Sequence, residues 1–298
     1  MSNEPMSRFE LAIVLPAGYR AEHAFAFHGR DAEGLAERID GQYIRKGVMV
    51  DGVPAVLEAD LGARPGHALC AIDGAGLGEL VHDMLLNILG LRIAPEPFEA
   101  AVADDPLFAP LVQGQRGLRI IQSATIFEAL SWAIIGQQIN LGFAISLRRT
   151  FIGLAGRRHP GGLWCYPDAA DAARLDLDQL TGRKFSRAKA ETLLRLARLV
   201  ADGELSLERD ADPREVSERL LAVKGIGPWT VNYALLRGYG FADCSLEGDV
   251  AVRTAIGRLL GGAERPGLQE AAAFLETYRP QRTMAAAHLW ASLSQSAG

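Results

Sequence analysis

A glycine-rich turn and a single aspartate are the residues of this sequence best suited to chemistry. Residues 225–229 read Gly-Ile-Gly-Pro-Trp and interrupt a region of helical periodicity, and Asp249 stands downstream where an amphipathic helix begins. A glycine costs roughly 1 kcal/mol relative to alanine inside a helix, so two glycines indicate that a partner approaches the backbone. Backbone N–H groups at a helix N-terminus bind anions, and a fixed carboxylate stabilises positive charge that develops in a reaction.

Both features also have simpler explanations. The turn can be an ordinary connection between two helices with Ile226 in the core. Asp249 can be only the N-cap of its helix, which is a common use of aspartate. Capping and catalysis are compatible in geometry, so the residue types leave both roles of Asp249 open.

Two predicted helices position the turn. Asp212 and Pro213 are typical of a helix start, an N-cap followed by a first-turn proline. That helix is expected to end near Val223, and Pro228 suits the first turn of the next helix because its missing N–H has no intrahelical partner. The sequence therefore predicts a helical hairpin over about residues 212–238.

The remaining elements fall into two parts. Four segments between residues 8 and 73 read as strands, at residues 9–15, 41–50, 53–61 and 67–73. Helical spacing of apolar residues follows over residues 77–90. The proline-rich residues 93–100 indicate a domain boundary, beyond which helix follows helix. We predict an α+β fold with an antiparallel sheet and a helix in residues 1–93 and an all-α domain in residues 94–298.

The composition excludes several classes of protein. The chain of 298 residues is 49% hydrophobic and 22% charged, which is typical of a globular protein and not of a disordered or fibrous one. No apolar run reaches the length needed to cross a bilayer, and the start lacks the layout of a secretory signal, so we expect no membrane partner and a cytoplasmic location. The scattered Cys70, Cys165 and Cys244 indicate neither a disulfide framework nor a clustered metal site.

Local charge matters more than net charge here. The net charge of −5 argues against indiscriminate binding to nucleic acid. Two short segments are nevertheless basic, and they contain Arg183, Lys184, Arg187, Lys189, Arg195 and Arg198 in one and Arg148, Arg149, Arg157 and Arg158 in the other. Solvated helix faces are the alternative explanation of both.

Five features, in order, resemble the 3-methyladenine-DNA glycosylase II branch of the helix-hairpin-helix base-excision glycosylases. They are AIIGQQINLGFAISL at 133–147, GRKFSRAKAETLLRLA at 182–197, GIGPWTVNYALLRG at 225–238, Asp249, and YRPQRTMAAAHLW at 278–290. The resemblance covers residues 94–298 and implies a sheet-plus-helix domain before them. It also implies hydrolysis of the N-glycosidic bond of alkylated purines in double-stranded DNA, after extrusion of the nucleotide from the stack.

The resemblance assigns Asp249 as the catalytic carboxylate beside the sugar. Related enzymes that also cut the strand carry a lysine nucleophile where this chain has Trp229. Tryptophan has no nucleophilic amine, so we expect base release without lyase activity.

The resemblance also implies a substrate pocket. Trp229 and Tyr233 match aromatic pocket positions, where a ring face would attract a cationic base; core packing is their alternative. Gln281, with Tyr278 nearby, stands where the family carries a pocket tryptophan, and Gln138 replaces an apolar wedge that fills the gap left by the flipped base. A helix-end role is the alternative for Gln138.

DNA contacts are expected at the hairpin and at one basic segment. The hairpin candidates are Lys224, Gly225, Ile226 and Gly227, and the basic candidates are Arg183, Lys184 and Arg187. No cofactor is needed for this hydrolysis, although a monovalent cation on hairpin carbonyls would suit the family, and the scattered cysteines argue against an iron-sulfur cluster. We expect a monomer. A glycosylase for oxidised or deaminated bases and a noncatalytic binder of damaged DNA are the competing hypotheses.

Overall fold

The computed structural model describes residues 8–262 and 264–295, and it begins with an antiparallel sheet. The strands are β1 Arg8–Val14, β2 Glu37–Asp40, β3 Tyr43–Val50, β4 Val53–Asp60 and β5 His67–Asp73. Their order in the sheet is β1-β5-β4-β3-β2, and every neighbouring pair is antiparallel. The four predicted strands are confirmed, and β2 is a fifth that the sequence analysis missed.

Two helices accompany the sheet, where one was expected. Helix α2, Glu79–Ile88, confirms the predicted helix, while α1, Ala21–His28, was missed. In α1 only Ala24 and His28 are buried, so its sequence carries no continuous apolar stripe. Strand β2 has only four residues, of which one is apolar, and it forms because β3 offers a paired edge.

The rest of the chain is helical apart from one small ribbon. The helices before the ribbon are α3 Glu96–Ala101, α4 Phe108–Gln113, α5 Ile126–Gly136 and α6 Leu141–Ala155. The ribbon pairs β6 Arg157–Arg158 with β7 Trp164–Cys165. The helices after it are α7 Ala169–Ala173, α8 Leu177–Thr181, α9 Arg187–Ala201, α10 Pro213–Leu221, α11 Pro228–Ala234, α12 Val250–Leu259, α13 Leu268–Glu276 and α14 Arg282–Gln295. A π-helical turn, Leu235–Tyr239, extends α11. The α+β fold class is confirmed.

Two hydrophobic clusters form the core. One joins the sheet to α2, with Met84 and Leu85 packed in the same cluster as Ile44 and Leu57. The larger cluster unites the helices from α3 onwards. Each cluster takes residues from the other part of the chain, since Ala36 belongs to the helical cluster and Ile121 to the sheet cluster. The division at residues 93 and 94 stays a prediction.

A buried group of four charges ties the sheet to α5 and α6. Lys46 Nζ lies 2.5 Å from Glu37 Oε1 and 2.7 Å from Glu128 Oε1. Arg148 bonds Glu37 through both Nη atoms and Glu128 through Nη2 at 3.0 Å. Two positive and two negative charges balance, and buried charges are tolerated only when paired in this way. Arg148 therefore belongs to the core and not to a basic surface. None of the described helices has the length and hydropathy of a bilayer-spanning segment.

Candidate active site

The predicted hairpin is formed by α10 and α11. Asp212 caps α10, its Oδ1 accepting the backbone N–H of Arg214 at 2.8 Å. Pro228 is the first residue of α11, as its fixed φ and missing N–H favour. Between the helices the N–H of Ile226 donates to the Val223 carbonyl at 3.0 Å, which closes the turn.

The structure gives different explanations for glycine at positions 225 and 227. Gly225 has φ of +99°, and a Cβ there would overlap the hydroxyl of Thr192 on α9, so packing alone requires glycine at this position. Around Gly227 nothing lies within 4 Å of the Cβ position, and its backbone is open to a partner. Packing thus explains the glycine at 225 without a partner, and whether the main chain of Gly225 contacts DNA stays a prediction. Ile226 is 6% exposed and fills the core, which leaves its main chain as the part that can meet DNA.

Side chains from α5 and α9 brace the turn. Gln137 Nε2 donates to the Gly225 carbonyl at 3.2 Å and to Thr230 Oγ1 at 2.9 Å. Arg195 Nη1 donates to the Lys224 carbonyl at 2.9 Å. Each of these carbonyls keeps a second lone pair, and a monovalent cation at the hairpin stays a prediction. Among the described residues, no three or more His, Cys, Asp or Glu side chains are grouped to hold a metal ion.

Asp249 is held by four N–H donors. It caps α12, and its Oδ1 accepts the backbone N–H groups of Ala251 at 2.9 Å and Val252 at 3.0 Å. The indole Nε1 of Trp290 donates to the same oxygen at 3.1 Å, and the indole Nε1 of Trp229 donates to Oδ2 at 2.9 Å. The residue is a helix cap and, at the same time, a half-buried carboxylate whose two oxygens are both oriented.

Aromatic side chains lie next to the Asp249 carboxylate, beginning with Trp229. The rings of Trp229 and Tyr233 have centroids 5.4 Å apart at an interplanar angle of 34°. Tyr233 packs against the small cluster that contains the buried Trp132. Phe27 of α1 and Trp290 of α14 complete a set that we call the aromatic wall, defined as Phe27, Trp132, Trp229, Tyr233 and Trp290.

Two arginines lie against this wall. The Arg237 guanidinium carbon is 4.9 Å from the Phe27 ring centroid and 5.7 Å from that of Trp290. The Arg30 guanidinium carbon lies 4.1 Å from the Phe27 ring centroid. Burial lowers the pKa of Arg237, and the hydrogen bond with Tyr233 partly offsets this shift. Within the described ranges Arg237 forms no ion pair with a carboxylate. The wall therefore combines π faces with positive charge, with Asp249 beside it.

The sequence analysis missed three members of the wall and Arg237. Trp290 ends a segment that carried the family resemblance, and this was the available signal for it. Phe27 and Trp132 had no signal, because an aromatic residue on a helix reads as core until its tertiary neighbours are known.

Tyr278 and Gln281, the other two expected pocket residues, lie between α13 and α14. The Tyr278 ring packs on Phe108 with centroids 4.4 Å apart, and its hydroxyl bonds Asp105 Oδ2 at 3.2 Å. Burial, assisted by Asp105, raises the pKa of Tyr278 to about 12. These contacts give Tyr278 a packing role beside α4, and its expected contact with the substrate stays a prediction. Gln281 is half-buried just before α14, and its substrate role stays a prediction.

The predicted DNA-contact residues mostly face solvent. Arg183, Lys184, Arg187 and Lys224 are exposed, although Arg187 also pairs with Glu191 at 2.8 Å. Lys189 is different, because its Nζ donates to the Ile135 carbonyl at 2.9 Å and to other carbonyls that end α5. It caps a helix and is not part of a basic surface, and burial lowers its pKa.

Gln138 is exposed at the end of α5 with φ of +55°, a left-handed conformation that is uncommon outside glycine. Its position beside the hairpin follows from its neighbour Gln137. Whether it fills the gap of a flipped base stays a prediction.

Known proteins can now be compared with this arrangement. No protein-family model matches the sequence. The architecture is shared with the 3-methyladenine DNA-glycosylase of Archaeoglobus fulgidus, at a TM-score of 0.80 and 22% identity over 94% of this chain and 97% of the other. The 8-oxoguanine glycosylase/lyase of Clostridium acetobutylicum, solved with double-stranded DNA, matches at a TM-score of 0.73 and 15% identity over the full length of both chains. Fold and hairpin thus define a helix-hairpin-helix glycosylase architecture.

Sequence similarity narrows this class. A DNA-3-methyladenine glycosylase of Bacillus subtilis is 33% identical over 199 residues, which are 65% of this chain and 66% of the relative. The matched segment spans about two thirds of the length of this relative and 62% of the length of a putative DNA-3-methyladenine glycosylase from the same organism. The chain belongs to the DNA-3-methyladenine glycosylase family.

Proposed function

We propose that this protein hydrolyses the N-glycosidic bond of alkylated purines, of the 3-methyladenine type, in double-stranded DNA. The observation that carries the proposal is the Asp249 carboxylate, oriented by two indole N–H groups and a helix N-terminus beside the hairpin. The printed name of the Bacillus subtilis relative supports the same activity.

Base departure leaves positive charge on the sugar. A carboxylate fixed beside that carbon stabilises the charge without reorganising, and it can orient the attacking water. The target base must leave the duplex stack to reach Asp249, so the mechanism includes extrusion of the nucleotide. The aromatic wall offers ring faces to the extruded base.

Backbone phosphates would be held by the N-terminus of α11. Gly227 leaves its main chain uncovered, and Lys224 is exposed one turn before it. Such contacts position the duplex without reading its sequence. The protein would act as a monomer and without a cofactor, and a cation at the hairpin would only strengthen the phosphate contact.

Strand cleavage is not part of the proposal. The position that would carry an attacking amine holds Trp229, whose indole donates to Asp249. A reducing agent such as borohydride traps a covalent DNA adduct only when an amine has formed a Schiff base. We expect an abasic product and no trapped adduct.

The deciding experiment compares base release from methylated duplex DNA by the wild type and Asp249→Asn. Asparagine is as good an N-cap as aspartate, so the variant keeps the helix start and loses the charge. We expect its rate to fall at least about 100-fold while binding to abasic-site DNA is retained. Asp212→Asn, which alters a cap of the same kind on α10, is the matched control and should keep full activity.

Unchanged activity of Asp249→Asn would remove the catalytic role. Wild-type protein that binds damaged DNA and releases no base would favour the noncatalytic alternative. A second substrate class also has a specific observation behind it, since Gln281 replaces an expected pocket tryptophan. A panel of duplexes with alkylated, oxidised or deaminated bases separates the two substrate classes.

A further inference from the structure

Arg237 is a half-buried cation whose neighbours are aromatic rings. Its guanidinium carbon lies 4.9 Å from the Phe27 ring centroid and 5.7 Å from that of Trp290, both within the range of about 6 Å over which a ring face attracts a cation. Within the described residues Arg237 has no carboxylate partner, and its Nε has no hydrogen-bond acceptor. Removing a charge from water without a counterion costs free energy, which indicates a role beyond packing.

The fold fixes this guanidinium. Its Nη1 donates to the Ile121 carbonyl at 2.5 Å, and the Arg237 carbonyl accepts the N–H of Ser123 at 2.8 Å. Gly238 follows, and a Cβ there would lie 3.1 Å from Cβ of Ala129, so glycine lets this turn pack closely on α5. Arg237 and Gly238 belong to the π-helical turn that extends α11, and such turns are frequent at functional sites. The position of Arg237 is therefore a property of the free protein.

One indole joins Arg237 to Asp249. Trp290 presents its ring to the guanidinium and donates its Nε1–H to Asp249 Oδ1 at 3.1 Å. The four described donors to Asp249 are two indoles and two backbone N–H groups, and none of them is a cation. A positive charge at the ring draws electron density from the N–H group and makes it a stronger donor, because linked polar groups polarise one another. The two charges thus form an ion pair that is bridged by the indole.

The other groups near the wall do not share this arrangement. Within the part of the chain that the structure describes, no cation lies over the ring of Trp229, the second indole donor. The Arg30 guanidinium carbon lies 4.6 Å from the Trp132 ring centroid and not over Trp290. Arg237 is therefore the cation placed to act on the hydrogen bond at Oδ1.

We propose that Arg237 is a positioning residue for the reaction, whose guanidinium holds the Trp290 ring and strengthens the hydrogen bond that orients Oδ1 of Asp249. The inference rests on the proposed function, because this orientation affects a rate only if Asp249 stabilises charge on the sugar. The charge of Arg237 by itself repels a positively charged transition state. A net benefit therefore has to come through the indole.

The test uses Arg237→Met, which removes the charge and keeps a long side chain, and Arg237→Lys, which keeps the charge. The readout is single-turnover base release from a methylated duplex at saturating protein, so that DNA binding does not limit the rate. We expect Arg237→Met to lower the rate about three- to tenfold, as for an ordinary hydrogen bond, and no further than Trp290→Phe does. Arg237→Lys should lie between Arg237→Met and the wild type. The double variant Arg237→Met/Trp290→Phe should be no slower than Trp290→Phe, because no indole N–H remains to be strengthened.

Arg158 and Trp164 provide a matched control pair. The Arg158 guanidinium carbon lies 5.6 Å from the Trp164 ring centroid, almost the separation found for Arg237 and Trp290. Neither control residue is among the described partners of Asp249. Arg158→Met, Trp164→Phe and their double variant should release base at the wild-type rate.

A second readout is independent of activity. The chain has four tryptophans, and the indole N–H resonance of Trp290 is the one that Trp290→Phe removes from the NMR spectrum. We expect Arg237→Met to move this resonance to a lower proton chemical shift, as a weaker hydrogen bond does. Arg158→Met should leave it in place.

The remaining outcomes overturn the inference. An unchanged Trp290 resonance in Arg237→Met shows that the cation does not act on the indole, and a faster rate shows that charge repulsion dominates. A rate that falls equally with and without the Trp290 indole assigns Arg237 another route, and equal rates of Arg237→Lys and Arg237→Met remove the role of the charge. Wild-type protein that releases no base contradicts the proposed function instead, and the Trp290 resonance still decides whether Arg237 strengthens the bond to Asp249.

Discussion

Replacing Trp229 by phenylalanine removes the indole that donates to Oδ2 of Asp249 at 2.9 Å. Within the described residues this indole is the one donor to Oδ2, whereas Oδ1 accepts two backbone N–H groups and the indole of Trp290. A hydrogen bond to a charged group contributes about 1.5–3 kcal/mol. If that orientation is needed in the transition state, the rate falls by a factor of roughly 10 to 150.

Trp290→Phe should cost less, because Oδ1 keeps the N–H donors of Ala251 and Val252. We expect a loss of at most about tenfold, corresponding to an ordinary hydrogen bond. The assay is single-turnover base release from a methylated duplex, with the dissociation constant for abasic-site DNA measured in parallel. Trp164→Phe, in the β7 ribbon, is the control for losing a half-buried indole.

The reasoning is refuted if Trp290→Phe loses more activity than Trp229→Phe, or if neither rate changes while the proteins remain folded. A loss that lies wholly in DNA binding would also contradict it, since the two donors are argued to orient the carboxylate. Stacking by the Trp229 ring is kept in the phenylalanine variant, so its loss is not the explanation of a slower rate.

Three further predictions concern the scaffold and the DNA contact. Gly225→Ala should lower the free energy of unfolding by about 1–3 kcal/mol, because φ there is +99°, while Gly227→Ala should unfold at nearly the wild-type temperature and bind DNA less tightly. Burial alone would raise the pKa of Glu37, but its two cationic partners lower it well below the usual value. The carboxylate therefore stabilises the fold above the unfolded pKa, and this stability is lost as pH falls through the folded pKa. Glu37→Gln should be destabilised by about 3–5 kcal/mol near neutral pH and show a weaker loss on acidification in chemical denaturation; equal pH dependence would contradict the charge pairing. Lys224→Ala should reduce the slope of log affinity against log salt by about 0.9, whereas Arg64→Ala, on a loop of the sheet, should leave that slope unchanged.

The hairpin could be found from sequence because its residues act locally. Proline at 228 fixes a helix start and aspartate at 212 supplies a cap, whatever the remainder of the chain does. The four longer strands were equally readable, since turn residues separate them. Strand β2 and helix α1 were not, because each is stabilised by neighbours and neither carries a clear periodic pattern of its own.

Residue type alone misjudged two charged side chains. Arg148 and Lys189 read as basic surface, yet one pairs with buried carboxylates and the other caps a helix end. The family resemblance placed Tyr278 near the pocket; its ring packs on Phe108, and a contact with the substrate stays a prediction. Spacing along one element cannot show which residues of distant elements will face it.

The sequence by itself determined the helical hairpin, the cap at Asp249 and the family of the chain, because turn chemistry and short ordered motifs are properties of neighbouring residues. Only the tertiary structure decided that Trp290 reaches Asp249 and that Phe27 and Trp290 both pack against Arg237. Those contacts join α14 and α1 to residues far away in the chain, and their geometry is set by how two hydrophobic cores pack together.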